Sequence, residues 1–378
     1  MHNFLDVRYR YDNPEYYGLS AQVDGQASSS KEVLGGLLSN SVRIVPALFP
    51  DLAQELEGLN ERMMLDRGID CFVVSNPEIQ AYCIPVSQDG TDHFVVVVTS
   101  ALVERLNPQE IIFVIGHEVG HFIYQHWRHP REDDGGTHGQ RLALLQLERS
   151  AEISADRVGM IACKSLQASC TAMIKVASGL SEPFLKPDIP SLLQQFREIV
   201  SQDGHKAAIL STHPTIPLRI RALLMFDPVL QNFLNSDCVD QDLLEKIDHR
   251  VESDFHKSTG NILKKHEDKQ LADVQLWGMV SIFVADGIFS KSEQKLFSDL
   301  CGGALLKKVV GFLNSNEANI HTAVSKKLKH ACSEAIACPR DRKETVISDL
   351  KDLFSIENYT GEYEIAELER IKGYLGMA

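Results

Sequence analysis

The sequence predicts an α+β protein: a mostly helical domain built on a small β-sheet, followed by an all-α domain. Three observations carry this reading. Three short apolar segments, Cys71–Ser75, Ala81–Val86 and Phe94–Thr99, have strand length and are punctuated by Asn76-Pro77 and Asp89-Gly90, which favour turns. A strong helix-start signal at Asn107 opens into the apolar run Ile111–Ile115. From about Ala272 onward the pattern is helical and offers no strand candidate.

Taken in order, residues 1–30 read as an N-terminal arm that ends at Ser28-Ser29-Ser30. Residues 31–230 form the sheet-containing domain, 231–265 a helical linker and 266–378 the all-α domain. Between Lys31 and Arg67 the pattern is helical, interrupted by a polar stretch around Asn40 and Pro46; Leu52, Leu56, Leu59 and Met63 recur at helical spacing. After the strands, Asn107 caps a helix, Pro108 suits its first position and Glu110 completes a capping box. That helix is expected to end near His126 or Trp127. Arg131–Gly139 is a polar, glycine-containing loop, and a second helix spans Gln140–Ser165. Further helices are expected over Ser191–Ser201, Pro217–Phe226 and Asp237–His256, the last charged enough to serve as a link between domains.

Length and composition set the outer bounds. A chain of 378 residues suggests two or three domains, and 44% hydrophobic content suffices to bury cores without covalent staples. The formal net charge of −14 argues against nucleic acid as a main partner, because phosphate binding needs a basic surface. Eight scattered cysteines, none in a C-x-x-C pair, read as reduced thiols and point to a cytoplasmic protein. Met1–Tyr17 lacks a basic flank followed by an apolar core, so no secretory signal is expected. No apolar stretch is long enough for a membrane-spanning helix.

The chemistry concentrates on two helices. His117 and His121 lie one helical turn apart on one face, where two imidazoles can bind a single tetrahedral cation. Glu118 follows His117 and can reach a bound water, which gives it the natural role of general base. A catalytic zinc needs a third protein ligand, and the next helix offers Glu148, Glu152 and Asp156 on a shared face. One of these carboxylates can bind the metal while a neighbour orients a ligand histidine. Spacing alone does not choose between Glu148 and Glu152. Downstream, His213-Pro214 precedes a helix carrying Arg219, and the pair could steady a developing oxyanion. A His-Pro turn and a surface arginine are equally ordinary features of a stable fold.

The ordered set His117-Glu118-Val119-Gly120-His121, Glu152-Ile153-Ser154-Ala155-Asp156 and His213-Pro214-Thr215-Ile216-Pro217-Leu218-Arg219 resembles the three signatures of the HtpX-like and CAAX-prenyl-protease-like gluzincins. The resemblance covers roughly residues 35–226. It implies a metallopeptidase domain with one zinc ion per chain, held by His117, His121 and Glu152. It makes Asp156 the partner of a zinc-binding histidine and His213 a transition-state stabiliser or occasional fourth ligand, with Arg219 as its companion. His126 matches a frequent family histidine that is not a core ligand and is taken as structural. The family's substrate-lining Asn-Ala-Phe stands here as Gln80-Ala81-Tyr82. Many relatives carry membrane helices between the second histidine and the glutamate, where this chain has a short polar loop, so a soluble member is implied.

In the C-terminal part, Ala285–Glu293 resembles the Asp-Gly signature of tellurite-resistance TerB-like helical domains. The same residues also read locally: Gly287 ends one helix, and Ser290 with Glu293 forms a capping box for the next. The sequence therefore carries two functional expectations. One is a zinc endopeptidase acting on peptide or protein substrates. The other is a latent or inactive zinc-binding protein whose C-terminal helices recruit a protein partner.

Overall fold

A computed structural model describes residues 7–17, 19, 28–63, 65, 68–88, 91–130, 138–201, 211, 213–236, 238–259, 262–356 and 362–377. The chain divides into two compact units, one formed by residues 1–12, 21–129 and 145–261, the other by 13–20, 130–144 and 262–378.

The first unit contains a five-stranded sheet. Its strands are β1 (Ser28–Ser29), β2 (Val42–Arg43), β3 (Asp70–Val74), β4 (Ala81–Gln88) and β5 (Thr91–Thr99), arranged β1-β4-β5-β3-β2. Strand β4 runs antiparallel to β5, with Cys83 opposite Val96, and β5 runs parallel to β3, with Val97 opposite Phe72. The three strands expected from the apolar segments are present. The two-residue strands β1 and β2 were not foreseen, because two residues carry no readable alternation. On one face, Phe72, Val86 and Val95 pack with Val33, Leu34 and Leu37 of helix α1 (Ser30–Asn40). Helix α2 (Pro50–Arg62) buries Leu52, Leu56 and Leu59, the residues whose spacing predicted it.

After the short helix α3 (Ser100–Arg105) comes α4 (Pro108–Ile123). Its capping box is complete: Glu110 N donates to Asn107 Oδ1 at 3.0 Å and Asn107 N to Glu110 Oε2 at 2.9 Å. Phe122 of α4 lies 4.4 Å from Phe94 of β5, centroid to centroid. Helices α5 (His138–Cys163), α6 (Leu166–Ser178), α7 (Ile189–Ser201), α8 (Ile216–Ser236) and α9 (Gln241–Ser258) follow. Most of the expected polar loop, residues 131–137, lies outside the described residues, as does the Asp89-Gly90 turn.

Three expectations change here. Helix α8 runs to Ser236 through the interior Pro228, because Val229 and Leu230 beyond it are fully buried and that packing outweighs one lost backbone bond. Residues 231–265 were read as a linker, yet α9 buries Leu244, Ile247 and Val251 within the first unit. Residues 7–12 of the expected arm also belong to this unit, with Val7, Tyr9, Tyr11 and Asp12 buried.

The second unit has no strand among its described residues. Its helices α10 (Ile262–Phe283), α11 (Lys291–Cys301), α12 (Gly303–Asn314), α13 (Ile320–Glu334), α14 (Arg340–Ile356) and α15 (Glu362–Tyr374) enclose a core that includes Val274, Val280, Phe283, Phe297, Leu328 and Leu350. The Asp-Gly segment is a turn: Gly287 takes a φ of +90° after α10, and Ile288 N donates to Asp286 Oδ1 at 2.9 Å. Ser290 and Glu293 then cap α11 reciprocally.

Candidate metal centre

The site is built where α4 and α5 touch, and small residues make the approach possible. A Cβ added at Gly116 would lie 2.4 Å from Ala162 Cβ, one at Gly120 would lie 2.9 Å from Ala155 Cα, and one at Gly159 would lie 2.7 Å from Phe113 O. The backbones are therefore closer than any side chain larger than hydrogen allows at these points. His117 and His121 sit beside this glycine seam on α4, and Glu152 and Asp156 sit beside it on α5. Close backbone contact is what lets short carboxylate side chains from one helix reach imidazoles on the other.

His117 Nε2 and His121 Nε2 lie 3.1 Å apart. Glu152 Oε2 is 3.6 Å from His117 Nε2, and Glu152 Oε1 is 3.4 Å from His121 Nε2. A tetrahedral zinc with bonds of about 2.0–2.1 Å separates its donors by about 3.3 Å. The three groups thus fit a zinc ion in donor chemistry and in spacing, and they form one of two such clusters among the described residues. Of the two candidate carboxylates, Glu152 is buried against the histidines, whereas Glu148 is exposed.

The surrounding groups are ordered by hydrogen bonds. His117 Nδ1 meets Asp156 Oδ1 at 3.0 Å. Arg219 donates from Nε to Asp156 Oδ2 at 2.8 Å and from Nη2 to Asp156 Oδ1 at 2.6 Å, and its Nη1 lies 3.2 Å from Glu152 Oε2. Burial opposes charge on Asp156, but Arg219 and His117 outweigh it and hold that carboxyl below its usual range. For Glu152 burial is likewise overcome, chiefly by Arg219, and the carboxyl is held well below its usual range. His213 Nδ1 is 3.3 Å from Glu152 Oε1 with its side chain 64% exposed, so this ring stands at the mouth of the site. Glu118 is pushed the other way. Burial raises its pKa, offset in part by His117 and His121, and the Cys83 backbone on β4 hydrogen-bonds its carboxylate.

Two sequence readings shift. Arg219 was paired with His213 as an oxyanion group, but its guanidinium is committed to Asp156 and Glu152. His126 was taken as structural, yet its Nδ1 lies 2.7 Å from His121 Nδ1. The chain reverses just before it at Gln125, which takes a left-handed φ of +57° and folds the His126 ring back onto α4.

A family model for peptidase family M48 matches residues 46–133 and 134–226. Over these residues the chain is similar to peptidase family M48. The matched region spans strands β3–β5, both site helices and the start of α8, and so contains all of His117, Glu118, His121, Glu152, Asp156, His213 and Arg219. Members of this family are metallopeptidases, and peptides or proteins are the substrate class that follows. A search of curated proteins gave no match. No helix among the described residues is long and apolar enough to cross a membrane.

Proposed function

We propose that this chain is a zinc-dependent endopeptidase in which His117, His121 and Glu152 hold the metal and Glu118 is the general base. The observation that carries this reading is the convergence of the three donors at 3.1–3.6 Å, next to a half-buried carboxylate, Glu118, that takes no part in holding them. Zinc, when bound there, polarises the scissile carbonyl and lowers the pKa of a water molecule.

The protein's own groups perform the remaining work. Glu118 accepts the proton of the attacking water and passes it to the leaving amine. Its raised pKa suits both halves of that task, since a base that must return its proton gains from a value above that of a free carboxylate. Asp156 accepts from His117 Nδ1–H, which leaves His117 Nε2 bare for the metal. Arg219 keeps both acidic groups ionised and in place. His213, at the mouth, donates to the developing oxyanion.

Substrate would lie along β4. Strand β1 pairs only with Val86 and Ser87, so the outer edge of residues 81–85 has no strand partner among the described residues. An extended peptide can add to such an edge through backbone hydrogen bonds. The hydrogen bond from the Cys83 backbone to the Glu118 carboxylate supports this reading.

Metal analysis combined with a casein or peptide-pool assay tests the reading. Wild type should hold one zinc per chain and cleave. Glu118→Gln should retain zinc and lose activity by about 10²–10⁴-fold, the usual contribution of a positioned base. Cleavage by Glu118→Gln at the wild-type rate would refute the mechanism.

A further inference from the structure

Both histidines facing the centre are held from behind, but by different chemistry. His117 Nδ1 meets a carboxylate directly. His121 Nδ1 meets the imidazole of His126 at 2.7 Å, and His126 Nε2 in turn lies 2.8 Å from Asp12 Oδ2. Asp12 is fully buried, and Arg8 Nε donates to it at 3.1 Å.

We propose that Asp12 and His126 are positioning residues of the metal centre, forming a relay His121–His126–Asp12 that fixes the tautomer and orientation of His121. The proposal rests on the zinc reading above. Proton accounting supports it. A nitrogen that binds a cation must present its lone pair. His121 Nε2 is the nitrogen that faces His117 Nε2 and Glu152, so the neutral ring carries its proton on Nδ1. At 2.7 Å that N–H needs an acceptor, which requires a bare Nδ1 on His126. The His126 proton then sits on Nε2 and is donated to Asp12. With His121 Nε2 kept bare, this assignment gives each of the two contacts behind the ring one donor and one acceptor.

The same accounting decides a competing use of these residues. Asp12, His126 and His129 bring three possible ligand atoms within 4.8 Å of one another, and His129 Nε2 is buried without a hydrogen-bond partner. A cation there would need a bare His126 Nε2, which moves that ring's proton to Nδ1. Two N–H groups would then face each other across 2.7 Å. A loaded catalytic centre and a second metal at Asp12 therefore exclude one another through one shared hydrogen bond.

Asp12 lies outside the matched residues 46–226, and the segment that delivers it is anchored. Arg157 Nη1 donates to Val7 O at 3.1 Å, Tyr9 N to Ser154 Oγ at 3.0 Å and Arg10 N to Asp248 Oδ2 at 2.9 Å. Two of these anchors, Ser154 and Arg157, sit on α5, the helix that carries Glu152.

The test uses the full chain with zinc as probe: metal content, zinc affinity by competition with a chromophoric chelator, and long-range imidazole ¹H–¹⁵N spectra. Wild type should hold one zinc, with His126 in the Nε2–H tautomer. Asp12→Ala and His126→Ala should each weaken zinc binding by about 10–100-fold, the scale of a lost outer partner. The double variant should be no weaker than the worse single one, because both break one relay. Asp12→Asn, whose amide oxygen still accepts from His126, should recover part of the loss, and His129→Ala should change nothing. Two zinc ions per chain, one lost in His129→Ala, would replace the relay by a second metal site. An Nδ1–H tautomer at His126, read on wild type without any variant, would overturn the relay and leave the zinc centre standing. So would unchanged affinity in a folded Asp12→Ala protein. Wild type that binds no zinc would overturn both.

Discussion

In the first unit, buried charges meet opposite charges: Lys175 Nζ donates to Glu110 Oε2 at 2.9 Å, Arg157 pairs with Asp248, and Arg219 is bound twice by Asp156. In the second unit, the buried Lys343 is held by backbone carbonyls, Ile336 O at 3.2 Å and Leu375 O at 3.4 Å. Burial pushes its pKa down to about 8. The helices touch differently as well. At Gly116, Gly120 and Gly159 an added methyl would meet backbone or a short side chain of the neighbouring helix, whereas at Gly278 on α10 it would meet the end of the flexible Leu350 side chain at 2.8 Å and at Gly311 on α12 nothing within 4 Å. The contrast teaches where each unit places its constraints. The first sets paired ions and tight backbone contact around a site that has to hold its geometry, and the second closes an apolar core with Glu267 paired to Arg342 and Lys343 held by carbonyls.

The largest expected effect breaks a pair. Arg157→Met should destabilise the first unit by about 3–5 kcal/mol, because it strands Asp248 as a buried unpaired charge. Denaturant unfolding followed by Trp127, with Trp277 replaced by phenylalanine, would read it. A loss below 1 kcal/mol would show that the pair is no real constraint.

Next, Gly159→Ala should cost about 1–3 kcal/mol by forcing α4 and α5 apart, and it should weaken zinc binding in parallel. Tighter or unchanged zinc affinity would separate the glycine seam from the site.

Lys343 sharpens the other side of the comparison. Its folded pKa of about 8 lies below the ordinary 10.5, so between those values the unfolded chain holds a proton that the folded chain lacks. Stability of the second unit should therefore rise with pH across that window, by about 1 kcal/mol per pH unit relative to Lys343→Met. Below pH 8 the lysine contributes a constant penalty. Unfolding curves read at Trp277 between pH 7 and about 9.5, compared between the two proteins, give the difference directly; a flat difference contradicts the burial argument.

The smallest effect is a gain. Gly311→Ala should stabilise α12 by about 0.5–1 kcal/mol, since the position is helical and open. Destabilisation there would mean that the second unit is as tightly packed as the first.

Local signals were the legible ones. The Asn107–Glu110 capping box, the three apolar strands and the Ser290–Glu293 cap each depend on residues within a few positions of one another, and each is found where the sequence placed it. The helix expected over Pro217–Phe226 runs on to Ser236 because buried Val229 and Leu230 act from outside the local pattern. The recurrence of Gly116 with Gly120, and of Ala155 with Gly159, was a readable sign of close helix contact that the motif between them obscured. Asp12 left no such sign. A lone aspartate in a polar, aromatic segment has no periodic or spaced partner.

What the sequence determined alone was the kind of chemistry: two imidazoles one turn apart with an acid between them, and three acids, Glu148, Glu152 and Asp156, spaced to share a helix face. Helical geometry fixes those relations at short range, whatever the rest of the chain does. Tertiary structure decided which acid meets the histidines, that Arg219 serves the carboxylates, and that residue 12 stands behind His121. Those relations span 31 to 109 positions along the chain, from His121 to Glu152 and from Asp12 to His121, and close packing of α4 on α5 together with the hydrogen-bonded anchoring of residues 7–10 brings such distant groups into range.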